Sequence, residues 1–421
     1  MQTLYLPPLT SKKPFNANLE ALRGIAALLV VWGHIIHYKE ILTSSYTPSG
    51  WGAYVGPAHL SVLVFFVLSG YVIGLTHKAP LLSSTILPYL KKRVVRIYPI
   101  YFACLIFALC IAPTSYPLKT ILSHFTFTQG LFSPLIFEIN PIWSLNYEVL
   151  FYLLFIPVSY FRINPIYLTI LCIITGLVNV YFYPQLNAPR LSSYAFGFAF
   201  WLIGLSIAYY VKQEPSAPSY SSMIGNLLLF SSFTDLNVLT TVFNKVVTLL
   251  FHSTLSFPDT LPFEKIAIPF QDFSCLPYCL LFISSFISYN NVAWRFFTSL
   301  LILLPIFSFY SFYKHFGIHF PDKLLLPSLL YFLSLLVFLF NKPLESVSER
   351  ILKKIIWLGS ISYGVYIIHF PVLVVFSKVK YLVNSPVTFF IAAISFLITT
   401  LLAAYWLEKI FQPRIKQLLM R

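Results

Sequence analysis

Long apolar segments recur along the whole of this 421-residue chain, and they constrain its fold more than any other feature. Each is about 17 to 22 residues long, the length that an α-helix needs to cross the hydrocarbon core of a bilayer. Charged residues make up 10% of the chain, against about 25% in a typical soluble domain. The sequence therefore predicts an all-α, polytopic bundle of transmembrane helices and excludes a soluble globular fold.

The apolar segments define about twelve predicted spans. The stretch 222–251 is the least regular, because Asp235, Asn237, Asn244 and Lys245 interrupt it. The total becomes about 10 or 11 if that stretch is re-entrant or split. In chain order the spans are predicted near 21–38, 59–76, 96–113, 142–161, 164–183, 191–211, 222–251, 276–290, 296–313, 324–340, 355–376 and 386–406.

The charges are unevenly distributed, and they predict the orientation of the chain. There are 28 Lys and Arg residues against 13 Asp and Glu, a formal net charge of +15. The basic loops 77–96 and 341–354 and the basic C-terminal tail all fall on the side of the N-terminus. Because Lys and Arg concentrate in cytoplasmic loops, both termini are expected in the cytoplasm. This role explains the excess charge without nucleic acid, which is not expected as a partner.

Nothing in the sequence divides the chain into parts. There is no internal repeat, and neither end has the composition of a soluble domain. The polar N-terminal segment lacks the features of a signal peptide. Residues 1–421 are therefore expected to form one integral membrane domain in the lipid bilayer, with no appended soluble domain.

Ionisable residues inside the spans are the first candidates for function, since a charge at the bilayer centre costs about 2.5–3.5 kcal/mol on insertion scales. Arg23 and His34 share the first span, and their spacing places them on one helix face about 16 Å apart. The alternative is an anchoring arginine and a histidine bonded to a neighbouring helix. Glu148 follows Ser144 by one turn within an apolar run, so it needs a partner. His34 or an arginine is expected there, with a structural ion pair as the alternative.

Arg93 and Arg96 lie one helical turn apart at the entrance of the third span. They fit either the positive-inside signal or a clamp for a phosphorylated cytosolic ligand such as a nucleotide or coenzyme A, because guanidinium groups bind phosphate bidentately. In the second span Gly70 and Gly74 form a small-residue face for close helix packing. Ser69, beside them, is a candidate for an interhelical hydrogen bond.

Two further intramembrane groups have simpler interpretations. Arg190 enters the sixth span from the outer side, where an anchoring arginine is the default. His369 lies in an apolar run two residues before Pro371, and a hydrogen-bonded structural histidine is favoured over a catalytic one. The sequence contains no zinc motif, phosphate-binding loop or dinucleotide fingerprint, so neither a metal nor a nucleotide-driven pump is expected.

Five short motifs, in order over nearly the whole chain, are similar to those of one known family. They are Leu22-Arg23-Gly24 with His34, Phe65-Phe66-Val-Leu-Ser69-Gly70-Tyr71, Arg93 with Arg96, Trp143-Ser144-Leu-x-x-Glu148, and Ser362-Tyr363-Gly-x-Tyr366 with His369-x-Pro371. Each motif is weak alone. Together they resemble the membrane acyltransferase-3 family, whose members O-acylate cell-surface sugars in bacteria.

This resemblance implies a bundle of about ten or more core helices in the bacterial inner membrane. It implies transfer of an acyl group, usually acetyl, from cytosolic acyl-coenzyme A to an acceptor on the far side. By the same resemblance, the functional positions of the family fall on Arg23, the essential His34, the basic pair Arg93 and Arg96, Ser144 with Glu148, and the Phe370-Pro371-Val372 motif.

Two departures from the family pattern stand out. The family often ends with Glu-x-Pro, whereas Glu408-Lys409 is followed here by Ile410, which leaves the role of Glu408 open. Many members also carry a C-terminal esterase-like domain that completes the transfer. None follows the last span here, so the chain is expected to act alone or with a separate periplasmic or glycan-assembly partner.

The residues and the resemblance together predict an O-acetyltransferase with acetyl-coenzyme A, or another acyl-coenzyme A, as co-substrate. The expected acceptor is a hydroxyl of a cell-surface polysaccharide or lipid-linked glycan. His34 is expected to act as general base or acyl carrier, and Glu148 to orient it. Arg23, Arg93 and Arg96 are expected to bind the donor, with Ser69, Tyr98, Ser144, Arg190 and His369 as supporting residues.

Two other classes of protein use intramembrane charges or tolerate them. A transporter or flippase for a lipid-linked sugar would need the same groups for proton coupling or substrate binding. A structural scaffold would not depend on them. The sequence leaves open the acceptor and its hydroxyl, and the identity of the acyl group.

Overall fold

The structure is a computed structural model that describes residues 18–212, 219–233, 236–287, 289, 291–317 and 321–419. Asp235, the polar segment before Asn18 and the C-terminal Arg421, all used in the sequence analysis, lie outside this range. The orientation of the termini in the membrane stays a prediction.

The described residues form α-helices joined by loops and short 3₁₀ turns, with no β-strand among them. This confirms the predicted all-α class. In the first half of the chain the helices are α1 (Asn18–His37), α2 (Lys39–Leu42), α3 (Ala58–Thr76), α4 (Ser83–Ile111), α5 (Leu118–Phe125), α6 (Trp143–Tyr160), α7 (Pro165–Tyr181) and α8 (Pro189–Tyr210). In the second half they are α9 (Tyr220–Ser232), α10 (Val238–Phe251), α11 (Leu276–Ser284), α12 (Val292–Leu303), α13 (Pro305–Phe316), α14 (Leu325–Leu339), α15 (Asn341–Gly359), α16 (Ser362–Phe376), α17 (Pro386–Tyr405) and α18 (Gln412–Leu419).

In the described part of the chain, nine helical segments are long and apolar enough to cross a membrane. Two more apolar helices, Pro165–Tyr181 and Val238–Phe251, are shorter. The polytopic character predicted from the sequence is thereby confirmed. The nine segments are Asn18–His37, Ala58–Thr76, Ser83–Ile111, Phe137–Tyr160, Pro189–Tyr210, Val292–Lys314, Asp322–Leu339, Ser362–Leu382 and Pro386–Leu418.

Two predicted spans differ from what the structure contains. The irregular stretch 222–251 is split into α9 and α10, which was one of the alternatives. Among its described residues, the span predicted at 276–290 holds the nine-residue α11 and no further helix. The hydroxyls of Ser284 and Ser285 both donate to the Leu281 carbonyl. Such side-chain bonds compete with the continuing helical ladder and help to end the helix here.

Local chemistry sets the start of the helices that were predicted well. Pro165 occupies the first turn of α7, and the Asn164 side chain accepts a hydrogen bond from the backbone N–H of Ile166. At α17 the Ser385 hydroxyl accepts from the Thr388 N–H, again with a proline at the first position. These caps satisfy amide groups that a helix leaves unpaired at its N-terminus.

Helix α4 is longer than predicted, and this moves two arginines. It runs for 29 residues through Pro88 and Pro99, a length of about 44 Å, so it exceeds the roughly 30 Å of the hydrocarbon core. The sequence placed Arg93 and Arg96 at the entrance of the third span. In the structure both lie within one continuous helix.

Close packing of α3 on α8 depends on two glycines. A Cβ atom at Gly70 would lie 1.9 Å from the Trp201 carbonyl oxygen, and one at Gly204 would lie 1.8 Å from that of Val67. Such distances are impossible, so only glycine fits at either position. The small-residue face predicted at Gly70 is confirmed, and it fixes the neighbouring Ser69 close to α8.

A second glycine contact brings α1 against the end of α15. A Cβ atom at Gly359 would lie 2.2 Å from the Glu20 carbonyl oxygen, and one at Gly24 would lie 2.6 Å from the Leu358 Cβ. This crossing places the junction of α15 and α16 beside Arg23. Helix α1 also packs on α3 and α16 along its length, so three helices meet around Arg23 and His34.

Candidate functional site

Three arginines border one narrow cavity, which we call the arginine cleft and define by Arg23, Ser69, Arg93, Arg96, Ser144 and Glu148. Helices α1, α3, α4, α6 and α16 line it. Its volume is about 80 Å³, room for a few water molecules or a thin chain but not for a nucleotide. The cleft brings together all three predicted donor-binding residues.

Two wider grooves adjoin the arginine cleft through shared residues. One, of about 660 Å³, is lined by Arg96 with Lys91, Lys92 and Lys416. The other, of about 480 Å³, is lined by Arg23 and Arg96 with Glu20 and Glu408. The first groove is therefore basic, whereas the second balances two arginines with two carboxylates.

The guanidinium groups of the cleft have few anionic partners. Arg23 forms an ion pair with Glu20, with 3.1 Å between Nη1 and Oε1. The guanidinium carbon of Arg93 lies 5.6 Å from the ring centroids of both Tyr89 and Tyr152, and its buried Nε has no partner among the described residues. Stacking on the two rings holds Arg93 in place and leaves its donors for a ligand.

The positive potential at this end of the bundle acts on a histidine just past α3. Burial of His77, together with the nearby positive charges of Arg93 and Lys92, holds the pKa of its imidazole below the ordinary value. Burial and like charge both disfavour the protonated form. The same field favours a bound anion.

Glu148 lies in the arginine cleft, but its partners are not those predicted. Its Oε1 accepts hydrogen bonds from the hydroxyls of Ser69, at 3.1 Å, and Tyr152. Trp201 Nε1 in turn donates to the Ser69 hydroxyl at 3.3 Å. The expected pair of Glu148 with His34 is wrong, because hydroxyls one turn away and on α3 satisfy the carboxylate.

His34 pairs instead with His369, which the sequence assigned a structural role. The His34 Nδ1 lies 3.0 Å from His369 Nε2, and the His369 Nδ1 lies 2.8 Å from the Tyr366 carbonyl oxygen. A carbonyl only accepts, so His369 carries its proton on Nδ1. In the neutral pair, His34 must then donate from Nδ1, which leaves a lone pair on His34 Nε2.

His34 borders a second, larger cavity, which we call the histidine cavity and define by His34, His37, His59, Asn140, Trp143 and Asn237. Its volume is about 710 Å³, within the range of roughly 300–1,000 Å³ that small-molecule sites occupy. It lies at the end of α1 and the starts of α3, α6 and α10. Arg23 and His34, on one helix, thus open into different cavities.

Tyr366 lines both cavities, and no other described residue does. Its hydroxyl lies 2.6 Å from the Ser144 Oγ and donates to the Pro141 carbonyl at 2.5 Å. Since Pro141 precedes α6 and Tyr366 belongs to α16, these bonds tie the two helices together at the boundary between the cavities. The predicted supporting residue Ser144 therefore anchors Tyr366.

The remaining predicted residues lie away from both cavities. Tyr98 donates from its hydroxyl to the Phe125 carbonyl at 3.3 Å, which ties α4 to α5. Arg190, near the start of α8, is absent from the lining of either cavity. Its buried Nε has no partner among the described residues.

Sequence reasoning missed two tyrosines of the site. Tyr152 lies one helical turn after Glu148, so its spacing could have revealed it as a partner. Tyr366 belongs to a quoted motif, but its position between two cavities depends on the packing of α6 against α16. No local pattern contains that information.

Comparison with known proteins identifies the family of the chain. Residues 16–409 match the acyltransferase-3 family, described as "Acyltransferase domain". A relative from Rhizobium radiobacter, "Protein 2 in picA locus", is 33% identical over 89 residues, which cover 21% of this chain and 40% of that protein. No solved structure matches the chain. Because the family match spans nearly the whole sequence, the chain belongs to the acyltransferase-3 family and is a multi-pass membrane protein.

Proposed function

We propose that this acyltransferase moves an acetyl group from acetyl-coenzyme A to a hydroxyl of a cell-surface polysaccharide or lipid-linked glycan. The observation that carries the proposal is the His34–His369 pair. It orients an imidazole with a free Nε2 at a cavity that shares Tyr366 with the arginine cleft. A base and an anion-binding cleft on one helix suit acyl transfer between a phosphorylated donor and a neutral hydroxyl.

The donor enters from the arginine end. Its phosphates lie in the basic groove of Lys91, Lys92 and Lys416, which Arg96 also lines, with Arg93 one helical turn away in the cleft. The narrow cleft then admits the pantetheine arm and its thioester, but not the nucleotide. The positive-inside rule favours this end as the cytoplasmic one, and the inner membrane of a bacterium is the setting that the family implies.

The acceptor hydroxyl meets the thioester at His34. Nε2 of His34 takes the hydroxyl proton while the hydroxyl oxygen attacks the thioester carbonyl carbon, in the manner of general base catalysis. A carbon–oxygen bond forms and the carbon–sulfur bond breaks. The proton passes from His34 to the coenzyme A thiolate, so that the products are the acetylated acceptor, free coenzyme A and unchanged enzyme.

One residue supports this step directly and another supports binding of the donor. His369 accepts the Nδ1 proton of His34 and thereby fixes the tautomer that the base needs, the role first expected of Glu148. An orienting partner of this kind also stabilises the imidazolium that forms in the transition state. Arg23, about 16 Å from His34 along α1, supplies positive charge at the arginine end, where the phosphorylated donor enters.

A labelled donor tests the proposed reaction. Purified protein in lipid nanodiscs is incubated with [¹⁴C]acetyl-coenzyme A and a panel of methyl hexopyranosides and methyl N-acetylhexosaminides. We expect label to appear on a sugar as a base-labile ester, and His34→Ala to reduce its rate by about 10²–10⁴-fold. Equal transfer by His34→Ala would contradict the proposed role. His252→Ala, which changes an exposed histidine after α10, is the control.

Two further outcomes separate the alternatives that the sequence left open. Label retained on the wild-type protein without acceptor, and absent from His34→Ala, would make His34 an acyl carrier instead of a base. Translocation of a lipid-linked glycan without any acetyl transfer would favour a transporter.

A further inference from the structure

A histidine–carboxylate pair that the proposed mechanism does not use lies at the histidine cavity. His59, at the start of α3, and Asp272, in the 3₁₀ turn Phe270–Cys275, are 213 residues apart in sequence, with 2.7 Å between Nε2 and Oδ2. The Asp272 side chain is only 11% exposed, whereas the His59 side chain is 41% exposed and lines the cavity. Asp272 thus holds one ring nitrogen and leaves Nδ1 for a ligand.

The side-chain amide of Asn237 also lines this cavity. The Asn237 Nδ2 donates to the Cys275 Sγ at 3.3 Å. Its Oδ1 is buried and has no partner among the described residues, which omit 234–235. Because a buried carbonyl without a partner is costly, a ligand hydroxyl that donates to it would bind favourably.

An aromatic wall adjoins these polar groups. The Trp143 indole is nearly parallel to the His59 imidazole, at 20° and 6.3 Å between ring centroids, and meets Phe263 edge to face at 5.3 Å. All three residues line the cavity. A rigid aromatic surface beside hydroxyl-binding groups is suited to a sugar ring, which has an apolar face and a polar rim.

The charge of the cavity limits which sugars fit. Its described lining contains three histidines and Glu264 but neither lysine nor arginine. The arginine cleft has the opposite character. A carboxylate or phosphate on the ligand would therefore lack a fixed cation in the histidine cavity and would meet the negative charge of Glu264.

We propose that the histidine cavity binds a neutral glycosyl unit, with His59, held by Asp272, and Asn237 as its hydroxyl-binding groups and Trp143 as its aromatic wall. The inference rests on the proposed function in one respect, because it treats this sugar as the acceptor of the acetyl group. Binding itself needs no donor and can be measured without it.

Direct binding tests the proposal. Wild-type protein in nanodiscs, without acetyl-coenzyme A, is titrated with neutral methyl hexopyranosides and methyl N-acetylhexosaminides, and with methyl hexuronides as anionic comparisons, by saturation-transfer NMR. We expect at least one neutral glycoside to bind saturably and the uronides to bind at least tenfold more weakly. Failure of every neutral glycoside to bind, or equal binding of a uronide, would overturn the proposal.

Variants locate the site. His59→Gln and Asp272→Asn should each weaken binding about tenfold, which is about 1.4 kcal/mol, while His252→Gln leaves it unchanged. Affinity within twofold of wild type in properly assembled His59→Gln protein would overturn the assignment. If that variant does not elute as a monodisperse species, Trp143→Phe replaces it, with binding weakened about two- to tenfold through lost aromatic contact.

The two proposals can fail separately. Glycoside binding that depends on His59, without any acetyl transfer, would refute the proposed function and leave the sugar site in place. Acetyl transfer in which His59→Gln leaves the acceptor KM unchanged would refute the sugar site alone.

Discussion

The arginine cleft and the histidine cavity lie on the same helix but have opposite chemistry. The cleft combines Arg23, Arg93 and Arg96 with about 80 Å³ of space. The cavity has no lysine or arginine in its described lining, three histidines and about 710 Å³. A narrow cationic cleft suits the arm of an anionic donor, and a roomy neutral cavity suits a hydroxyl-bearing acceptor. The contrast is the basis of our proposal that the two substrates bind separately and meet near Tyr366.

The largest expected effect comes from the base in the histidine cavity. His34→Gln keeps a polar side chain of similar length but has no basic nitrogen at the position of Nε2. We expect kcat to fall by about 10²–10⁴-fold, with the KM for acetyl-coenzyme A within threefold of wild type. Steady-state assays measure both constants, and His252→Gln serves as the matched control. A selective rise of the donor KM would show that the two regions are not separate.

The next effect concerns the positioning of that base. His369→Leu removes the acceptor of the His34 Nδ1 proton, so the favoured tautomer of His34 is lost. We expect kcat to fall about 10- to 100-fold. This effect is smaller than that of removing the base and larger than that of removing one ordinary hydrogen bond. Both KM values should stay within threefold of wild type. A purely structural role predicts instead lower protein yield with normal kcat for the protein that assembles.

A smaller effect of a different kind is expected in the arginine cleft. Arg93→Lys and Arg96→Lys keep the charge but lose the planar fork that binds phosphate. Each should raise the KM for acetyl-coenzyme A about tenfold, which is about 1.4 kcal/mol, and leave the acceptor KM unchanged. Arg350→Lys, an exposed arginine of α15, is the control. A change in the acceptor KM instead would reverse the assignment of the two regions.

The smallest effect is expected at the boundary. Tyr366→Phe removes the hydroxyl that bonds to Ser144 and Pro141 but keeps the ring. A typical hydrogen bond contributes about 0.5–1.5 kcal/mol, so we expect kcat to change by about two- to tenfold. Hydrolysis of acetyl-coenzyme A without acceptor should rise, because the ring is less firmly held between the cavities. Unchanged hydrolysis and transfer would show that the hydroxyl does not matter.

The sequence predicted the features that depend on local pattern. Apolar length predicted the spans, the small residues Gly70 and Gly74 predicted a close helix crossing, and caps such as Ser385 define helix starts that periodicity also found. Intramembrane charge selected Arg23 and His34, and both line cavities, while their roles in donor binding and catalysis stay predictions. Each of these inferences uses residues within one or two helical turns, or the cost of placing a charge in lipid.

The pairings between distant residues could not be predicted in this way. His34 and His369 are 335 residues apart, and their contact depends on how α1 and α16 pack. Glu148 was expected to need a charged partner, yet a carboxylate can be satisfied by two hydroxyls. Asp272 was not among the residues that the sequence selected. The chemistry of a side chain shows that it needs a partner, but the tertiary packing decides which one it has.

Acetyl transfer across the membrane of sealed proteoliposomes tests most directly the claim that donor and acceptor bind on opposite sides. Membrane-impermeant [¹⁴C]acetyl-coenzyme A is supplied to one face and an impermeant neutral oligosaccharide to the other, with protein orientation mapped by protease. With the donor on the arginine side and the acceptor on the histidine side, we predict labelled oligosaccharide in wild-type vesicles and at least a hundredfold less with His34→Gln. Product that forms only when both substrates share one face would contradict the account.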